Sequence, residues 1–372
     1  MKQKTLILGT ICIFLFAGCF FGCGQEEKAE QPAQETTKET VETTKEKAAE
    51  TVEAALPGKG KTVTPSCATW TTGFFLEGLY SRACEELGYT VKEPKKLAAP
   101  IFYRSLAAGD LDYWANGWFP LHQEFLPNNW KDKITMAGTV VQAGAVQGYL
   151  VSKEHVQKYD IKSLDDFKRD EVKKAFDAND DGKADLVACP PGWGCEKTIA
   201  FHMDNYDLWD HINLIKAGYS ASMADAIARY NDGKPVFFYT WTPNWTVYKL
   251  KPGEDVLWIN VPEIIPKEGQ KGFEADMVAK GLTGTVTDPC KMGFVANDIR
   301  VVANNDFLEN NPAVETMFSL MSVPFSDIAA QNNKMFEGED TQKDIERHVT
   351  EWIEKNQAKW NAWLNAAKAA AE

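Results

Sequence analysis

The chain has 372 residues, with 53 acidic side chains against 40 basic ones and a formal net charge of −13. An acidic chain without a basic patch lacks what binding to phosphates requires, which argues against nucleic acid as a partner. The length exceeds what one hydrophobic core usually serves, so two domains are expected.

The first residues predict export from the cytoplasm. Residues 1–4 are basic, residues 5–16 are apolar but short for a membrane span, and small residues precede Cys19. This layout is that of a secretory signal peptide that ends in a lipobox. Residues 1–18 are therefore predicted to be a lipoprotein signal peptide, with Cys19 as the lipidation site. Cys23 is the weaker lipidation site, and an uncleaved N-terminal anchor is the alternative.

Residues 19–55 are predicted to be a disordered tether. From Gly24 onward this stretch consists mainly of Glu, Lys, Thr, Ala and Gln and contains no aromatic residue. Such a composition cannot bury enough apolar surface to order itself. An acidic peptide-binding tail is the alternative interpretation. No later segment is long and apolar enough to span a bilayer.

Strands and helices alternate in the rest of the chain. Strands are predicted at 61–64, 89–91, 111–115, 147–151 and 236–239, and helices at 73–87, 103–108 and 223–230. This alternation predicts parallel sheets flanked by helices. Residues 343–369 predict one long amphipathic helix, in which Trp352, Trp360 and Trp363 face the core.

Three tryptophans occur in settings that suggest a ligand cage. Trp193 lies in a Pro/Gly-rich loop, and Trp118 and Trp241 are each followed two residues later by proline. We expect Trp118 and Trp241 on loops beyond the ends of strands, where open α/β sheets bind ligands. An indole face attracts a cation that has no hydrogen to donate. Core packing and sugar stacking are the alternatives for each tryptophan alone.

Two cysteines border the Trp193 loop. In an oxidising compartment Cys189 and Cys195 are natural disulfide partners, with a metal or redox pair as the alternative. Gly194 and Cys195 should open a helix, whose free backbone N–H groups suit a carboxylate. Cys67, Cys84 and Cys290 are interpreted as buried free thiols and are not paired by the sequence.

Polar and aromatic residues near the tryptophan segments are harder to assign. His122 is interpreted either as a donor to a ligand carboxylate or as a structural histidine. Trp70, Trp114 and Trp245 are interpreted as packing behind the site, and Tyr239 as a strand residue that faces the core.

An acidic turn precedes the Trp193 loop. Asp177, Asn179, Asp181 and Asp185 alternate around Gly182, which resembles the first half of a calcium loop. The twelfth position is alanine, so the bidentate glutamate is missing. A solvated acidic turn is favoured, with a structural calcium ion as the alternative and no other cofactor or metal expected.

The tryptophan segments together resemble a known family. Residues 116–122, 182–186, 191–196 and 239–243 are similar in order and spacing to segments of the glycine betaine/proline betaine-binding proteins of osmoprotectant ABC transporters. The resemblance runs from about residue 56 to the C-terminus.

The resemblance implies a fold and a set of contacts. The fold would be α/β, a two-lobed periplasmic-binding-protein fold (type II) with parallel or mixed sheets flanked by helices and the ligand in the inter-lobe cleft. Lobe I would comprise 56–148 plus 292–372, and lobe II 149–291. The implied ligand-binding residues are Trp118, His122, Trp193, Gly194, Cys195 and Trp241, with a disulfide between Cys189 and Cys195.

The resemblance also implies a role and a location. The protein would be a monomer in the cell envelope that binds a betaine and delivers it to an ABC transporter permease. Another quaternary ammonium compound or compatible solute (choline, carnitine or ectoine) and a stacked sugar are alternative ligands. A tryptophan-lined carbohydrate-active enzyme is a further alternative, although the common hydrolase, zinc-protease and phosphate-loop motifs are missing from the sequence.

Overall fold

The computed structural model describes residues 56–371, apart from the side chain of Ala143. The predicted signal peptide (1–18), tether (19–55) and lipidation site Cys19 lie outside the described residues. Between residues 56 and 371, none of the helices has the length and apolarity that crossing a membrane requires.

Fourteen short strands are present in the described part of the chain. They are β1 Thr62–Val63, β2 Pro65–Cys67, β3 Thr90–Val91, β4 Lys95–Lys96, β5 Tyr113–Phe119, β6 Ile134–Ala145, β7 Gln147–Ser152, β8 Ala184–Val187, β9 Ile212–Ile215, β10 Phe237–Trp241, β11 Val256–Ile259, β12 Val278–Ala279, β13 Cys290–Lys291 and β14 Asn297–Asn304. Most of them belong to two five-stranded sheets, in the orders β4-β2-β5-β14-β6 and β11-β7-β10-β8-β9.

Both large sheets are mixed. In the first sheet β2 runs parallel to β4 and β5, whereas β14 runs antiparallel to β5 and β6. In the second sheet β8 runs parallel to β9 and β10, whereas β7 runs antiparallel to β10 and β11. The antiparallel strands arise where the chain passes between the sheets, since Val146 alone separates β6 from β7 and β14 returns to the first sheet.

Helices flank the two sheets. Over residues 56–371 they are α1 Thr72–Glu86, α2 Ala99–Ala108, α3 Lys153–Tyr159, α4 Asp170–Phe176, α5 Gly194–Asn205, α6 Tyr219–Asn231, α7 Thr246–Lys249, α8 Asn305–Glu309, α9 Pro312–Leu320, α10 Phe325–Phe336, α11 Gln342–Lys355 and α12 Gln357–Ala369. Helix α1 packs against β2 and β5 of the first sheet, and α4 and α6 pack against β8 of the second.

The C-terminal segment corrects one prediction. The single helix expected over 343–369 is two helices, α11 and α12, which meet at Asn356 with φ −113° and ψ 20°. The Asn356 side chain donates to the carbonyl of Trp352 at 2.9 Å, and such local side-chain bonds compete with helix continuation. Trp352, Trp360 and Trp363 are nevertheless buried, as predicted.

Candidate ligand-binding site

A cavity lies between elements of the two large sheets. Its walls are Trp70, Trp118, Leu121, His122, Gln147, Trp193, Gly194, Cys195, Tyr239 and Trp241. All six residues expected to bind ligand are therefore brought together, although they span more than a hundred positions of the chain. The lining has no aspartate, glutamate, lysine or arginine.

Strand ends, not loops, hold two of the three expected tryptophans. Trp118 lies inside β5, whose pairing with β14 continues through Ile299 opposite Trp118. Trp241 is the last residue of β10. The expectation that both lie on loops is wrong, because antiparallel partners from distant parts of the chain extend the two strands. The prolines that follow are Pro120 and Pro243, both in cis peptide bonds.

The aromatic walls meet at steep angles. The ring centroids of Trp193 and Trp241 are 5.5 Å apart with planes at 82°. The ring of Trp70 lies 5.4 Å from that of Trp193 at 64°. The indole N–H groups of Trp70 and Trp118 both donate to Asn116 Oδ1, at 2.6 and 3.1 Å. Steep angles between neighbouring rings leave more than one indole face open to a shared space.

The start of α5 presents backbone donors to the cavity. Gly194 and Cys195 are the first two residues of this helix, and neither backbone N–H has a hydrogen-bond partner among residues 56–371. A Cβ at Gly194 would lie 2.9 Å from Leu121 Cγ, so glycine permits this close approach. The Glu196 carboxylate is engaged elsewhere, since it accepts from the Gly192 N–H at 3.0 Å and pairs with Lys216.

His122 is buried with a defined tautomer. Its Nδ1 accepts the backbone N–H of Trp118 at 3.2 Å and lies 3.1 Å from the Tyr103 hydroxyl. An acceptor at Nδ1 places the ring proton on Nε2. Burial lowers the pKa of His122 from 6.5 to about 3, so the ring is neutral at physiological pH. His122 therefore offers the cavity a neutral N–H donor.

A disulfide closes the Trp193 loop. Cys189 and Cys195 are bonded, with their Cα atoms 5.9 Å apart, and Trp193 lies between them. The Trp193 indole N–H donates to Thr69 Oγ1 at 2.9 Å. Cys67, Cys84 and Cys290 are buried free thiols, as expected.

Four wall residues were not assigned to the site from sequence. The sequence predicts that Trp70 packs behind the site and that Tyr239 faces the core, and it does not single out Leu121 and Gln147. The Gln147 Oε1 accepts from the Tyr239 hydroxyl at 2.7 Å, so these two share one polar corner of the cavity. Trp114 and Trp245 do not line it; Trp245 stacks on Phe336 at 3.7 Å.

The acidic turn at 177–185 is closed by its own backbone. Asp177 accepts from the N–H groups of Asp181 and Gly182, at 3.0 and 2.8 Å. Asp185 accepts from the N–H of Ala178 at 2.9 Å and from Asn213 at 2.8 Å. Within the described part of the chain, no group of three or more His, Cys, Asp or Glu residues is arranged to hold a metal ion.

Comparisons with known proteins agree with this architecture. Residues 61–355 match the family described as the substrate binding domain of ABC-type glycine betaine transport system. The glycine betaine-binding periplasmic protein OusX of Dickeya dadantii is 43% identical over 317 residues, covering 85% of this chain and 93% of that protein. The glycine betaine/proline betaine-binding periplasmic protein of Escherichia coli is 40% identical over 321 residues, covering 86% and 94%.

Solved structures share the fold. A glycine betaine/L-proline-binding protein (ProX) from Borrelia burgdorferi aligns with a TM-score of 0.64 at 17% identity, covering 84% of this chain and all of that one. Lactococcal OpuAC in its closed conformation with glycine betaine aligns with a TM-score of 0.59 at 18% identity, covering 82% and 99%. These neighbours support the expected α/β periplasmic-binding-protein fold. The family consists of transport proteins, not enzymes. The chain belongs to the family of substrate-binding domains of ABC-type glycine betaine transport systems.

Proposed function

We propose that this chain is the extracytoplasmic substrate-binding component of an ABC transporter that captures glycine betaine or proline betaine and delivers it to the permease for osmoprotection. The observation that carries the proposal is the composition of one small cavity. Indole faces and unpartnered N–H donors line it together, without any charged side chain. A zwitterion needs both kinds of group and tolerates no uncompensated charge nearby.

The aromatic walls suit the cationic end of a betaine. A trimethylammonium group has no N–H, so it gains nothing from a hydrogen-bond acceptor. Trp118, Trp193 and Trp241 offer electron-rich faces and apolar contact with the methyl groups. Each desolvated cation–π contact is worth about 2 kcal/mol. Trp70, which lies 5.4 Å from Trp193, adds aromatic surface to the same cage.

The opposite end of the ligand needs donors for its carboxylate. The backbone N–H groups of Gly194 and Cys195 lie at the N-terminus of α5, where the helix dipole favours negative charge. The Nε2–H of His122 adds a neutral donor. Hydrogen bonds to a charged group are worth about 1.5–3 kcal/mol each. Together with the cage they sustain micromolar affinity, about −8 kcal/mol, after ordering costs.

Closure of two lobes around the ligand completes the mechanism. Lobe I comprises residues 56–148 with 292–372, and lobe II residues 149–291. Trp118 and His122 come from lobe I, whereas Trp193, Gly194 and Trp241 come from lobe II. The ligand stabilises the closed arrangement, which the permease recognises. The mechanism needs no cofactor, and the acidic turn at 177–185 needs no cation, since backbone N–H groups engage its carboxylates.

The N-terminal segment holds the protein at the membrane. Removal of residues 1–18 leaves Cys19 as a lipidated first residue, and residues 19–55 tether a monomeric receptor outside the cytoplasm. Incorporation of labelled palmitate by the wild type, lost in Cys19→Ala, tests this anchor. Labelling that survives in Cys19→Ala would move the anchor to another residue.

Calorimetric titration of the protein that begins at residue 56 tests the ligand assignment. We expect micromolar binding of glycine betaine and no heat with glycine, which differs only in the methyl groups on nitrogen. Choline, carnitine, ectoine and simple sugars form the comparison set. Absence of heat with both betaines, together with binding of any of those compounds, would overturn the proposal.

A further inference from the structure

Among the side chains that line the cavity, Gln147 has a buried nitrogen without a hydrogen-bond partner. Gln147 lines the cavity and is 2% exposed. Its Oε1 accepts from the Tyr239 hydroxyl at 2.7 Å, whereas its Nε2 has no hydrogen-bond partner among residues 56–371. Buried polar groups are nearly always paired, and an unpaired one costs about 1–3 kcal/mol. Because Gln147 lines the cavity, a ligand bound there is in a position to supply the missing acceptor.

Strand register fixes the face of the sheet on which the Gln147 side chain lies. Gln147 lies directly opposite Trp241 in the antiparallel β7/β10 pair, so both side chains share one face of the sheet. Tyr239 precedes Trp241 by two residues and lies on that face as well. Its hydroxyl occupies the amide oxygen and leaves the amide nitrogen for the cavity.

The partial charge of the unpaired Gln147 N–H indicates which group of the ligand it binds. An N–H carries partial positive charge, so it is repelled by a trimethylammonium group and attracted by a carboxylate. We propose that Gln147 Nε2 donates to the betaine carboxylate, as a side-chain donor beside His122 and the start of α5, and that it selects carboxylate-bearing ligands over choline-type ones. The inference rests on the proposed function, because it assigns one more contact within the same site.

The selectivity follows from the number of acceptors on each ligand. A carboxylate offers two oxygens and about four lone-pair sites, enough for several donors at once. The hydroxyl of choline accepts far fewer bonds and carries no charge. A site with the donors of Gly194, Cys195, His122 and Gln147 leaves several of them unpaired when choline is bound. The free-energy cost of these unpaired donors weakens the binding of choline and not that of betaine.

Two substitutions at this position test the assignment by calorimetry. Gln147→Leu keeps the volume and removes the donor, so glycine betaine should bind about 10- to 100-fold more weakly. Gln147→Glu places a negative group against the carboxylate and should weaken betaine binding further at pH 8. Its betaine affinity should then rise as pH falls, because a protonated glutamate regains a donor. A purely structural role would not produce this pH dependence.

Gln270→Leu is the matched control, since Gln270 is also buried but does not line the cavity. It should bind betaine as the wild type does, and melting curves for all three variants report folding. Wild-type betaine affinity in Gln147→Leu, or a Gln147→Glu variant that binds as the wild type does at pH 8, would overturn the inference. If the wild type itself gave no heat with betaine, the proposed function would fail instead.

Discussion

Two threonine hydroxyls bond to cage tryptophans across the proposed cleft. Thr69 Oγ1 accepts the indole N–H of Trp193 at 2.9 Å, and Thr72 Oγ1 accepts that of Trp241 at 3.1 Å. The Thr72 hydroxyl also donates to the carbonyl of Pro243 at 3.1 Å. Thr72 is the first residue of α1, which packs on the first sheet, and Thr69 precedes the helix by three residues, whereas the tryptophans belong with the second sheet. A change of threonine to valine removes these bonds without changing the side chain's shape.

The substitutions Thr72→Val and Thr69→Val should lower the betaine affinity by different amounts. Thr72 is fully buried, so Thr72→Val leaves the Trp241 N–H and the Pro243 carbonyl without partners in the closed state. An unpaired buried group costs about 1–3 kcal/mol, which corresponds to glycine betaine affinity lowered roughly 10- to 100-fold. Thr69 is exposed, so water replaces its hydroxyl. Thr69→Val should therefore cost less than about 1 kcal/mol.

Calorimetry gives the affinities, and stopped-flow tryptophan fluorescence gives the dissociation rate, where most of the loss should appear. Thr71→Val is the matched control, because the Thr71 hydroxyl bonds to Asn332 and not to a cage tryptophan. Equal affinities of Thr72→Val and wild type would refute the reasoning. So would a loss in Thr71→Val as large as that in Thr72→Val.

Three further predictions concern stability. Burial lowers the pKa of His122 and of His202 to about 3. Below pH 6.5 the unfolded chain therefore takes up protons at these histidines, whereas the folded chain does not. Relative to pH 8, each histidine lowers the free energy of unfolding by about 2 kcal/mol at pH 5. Burial raises the pKa of Glu77 to about 7, so protonation of this carboxyl stabilises the folded state as the pH falls from 8 to 5. In urea unfolding, Glu77→Gln should therefore lose more stability between pH 8 and pH 5 than the wild type does. Equal losses would contradict this prediction. Reduction of the 189–195 disulfide should lower the free energy of unfolding by about 2 kcal/mol, because the loop-closure entropy of so short a loop is small. An unchanged urea midpoint after reduction would contradict this prediction. Calcium should not shift the melting temperature of the ligand-free protein relative to EDTA, and an upward shift would show that the 177–185 turn binds the ion.

The sequence singled out six residues that line the cavity, because local chemistry marks them. Trp193 and the donors of Gly194 and Cys195 lie in one short loop between two cysteines, so their proximity follows from chain connectivity. Trp118 and Trp241 were recognised by the prolines that follow them. Their strand conformation was missed because it depends on β-pairing with segments far away in the chain, which no local pattern reveals.

Residues without a local signal were missed for the same physical reason. Gln147 enters the site because β7 pairs with β10, which places it opposite Trp241, nearly a hundred positions later. Trp70 resembles any core tryptophan in sequence, and only its distance of 5.4 Å from Trp193 sets it apart. Asn356 ends a helix through its own side-chain bond, yet asparagine within a helical pattern is common enough to pass unnoticed.

In the proposed mechanism recognition and closure use the same atoms, which predicts how the ligand-free protein differs from the ligand-bound one. In the closed arrangement Gly194, Cys195, His122 and Gln147 line one cavity, and their N–H donors need acceptors there. Each donor left unpaired there costs about 1–3 kcal/mol, whereas an open cleft lets water solvate all of them. The Thr72–Trp241 bond favours closure but is too weak to offset several unpaired donors. We therefore expect the ligand-free protein to be open in solution and to close when betaine supplies the missing acceptors. Small-angle X-ray scattering should show a smaller radius of gyration with glycine betaine than without it. An equally compact ligand-free state would mean that water satisfies these donors in the closed cavity, and that the permease must distinguish loaded from empty receptor by some other feature.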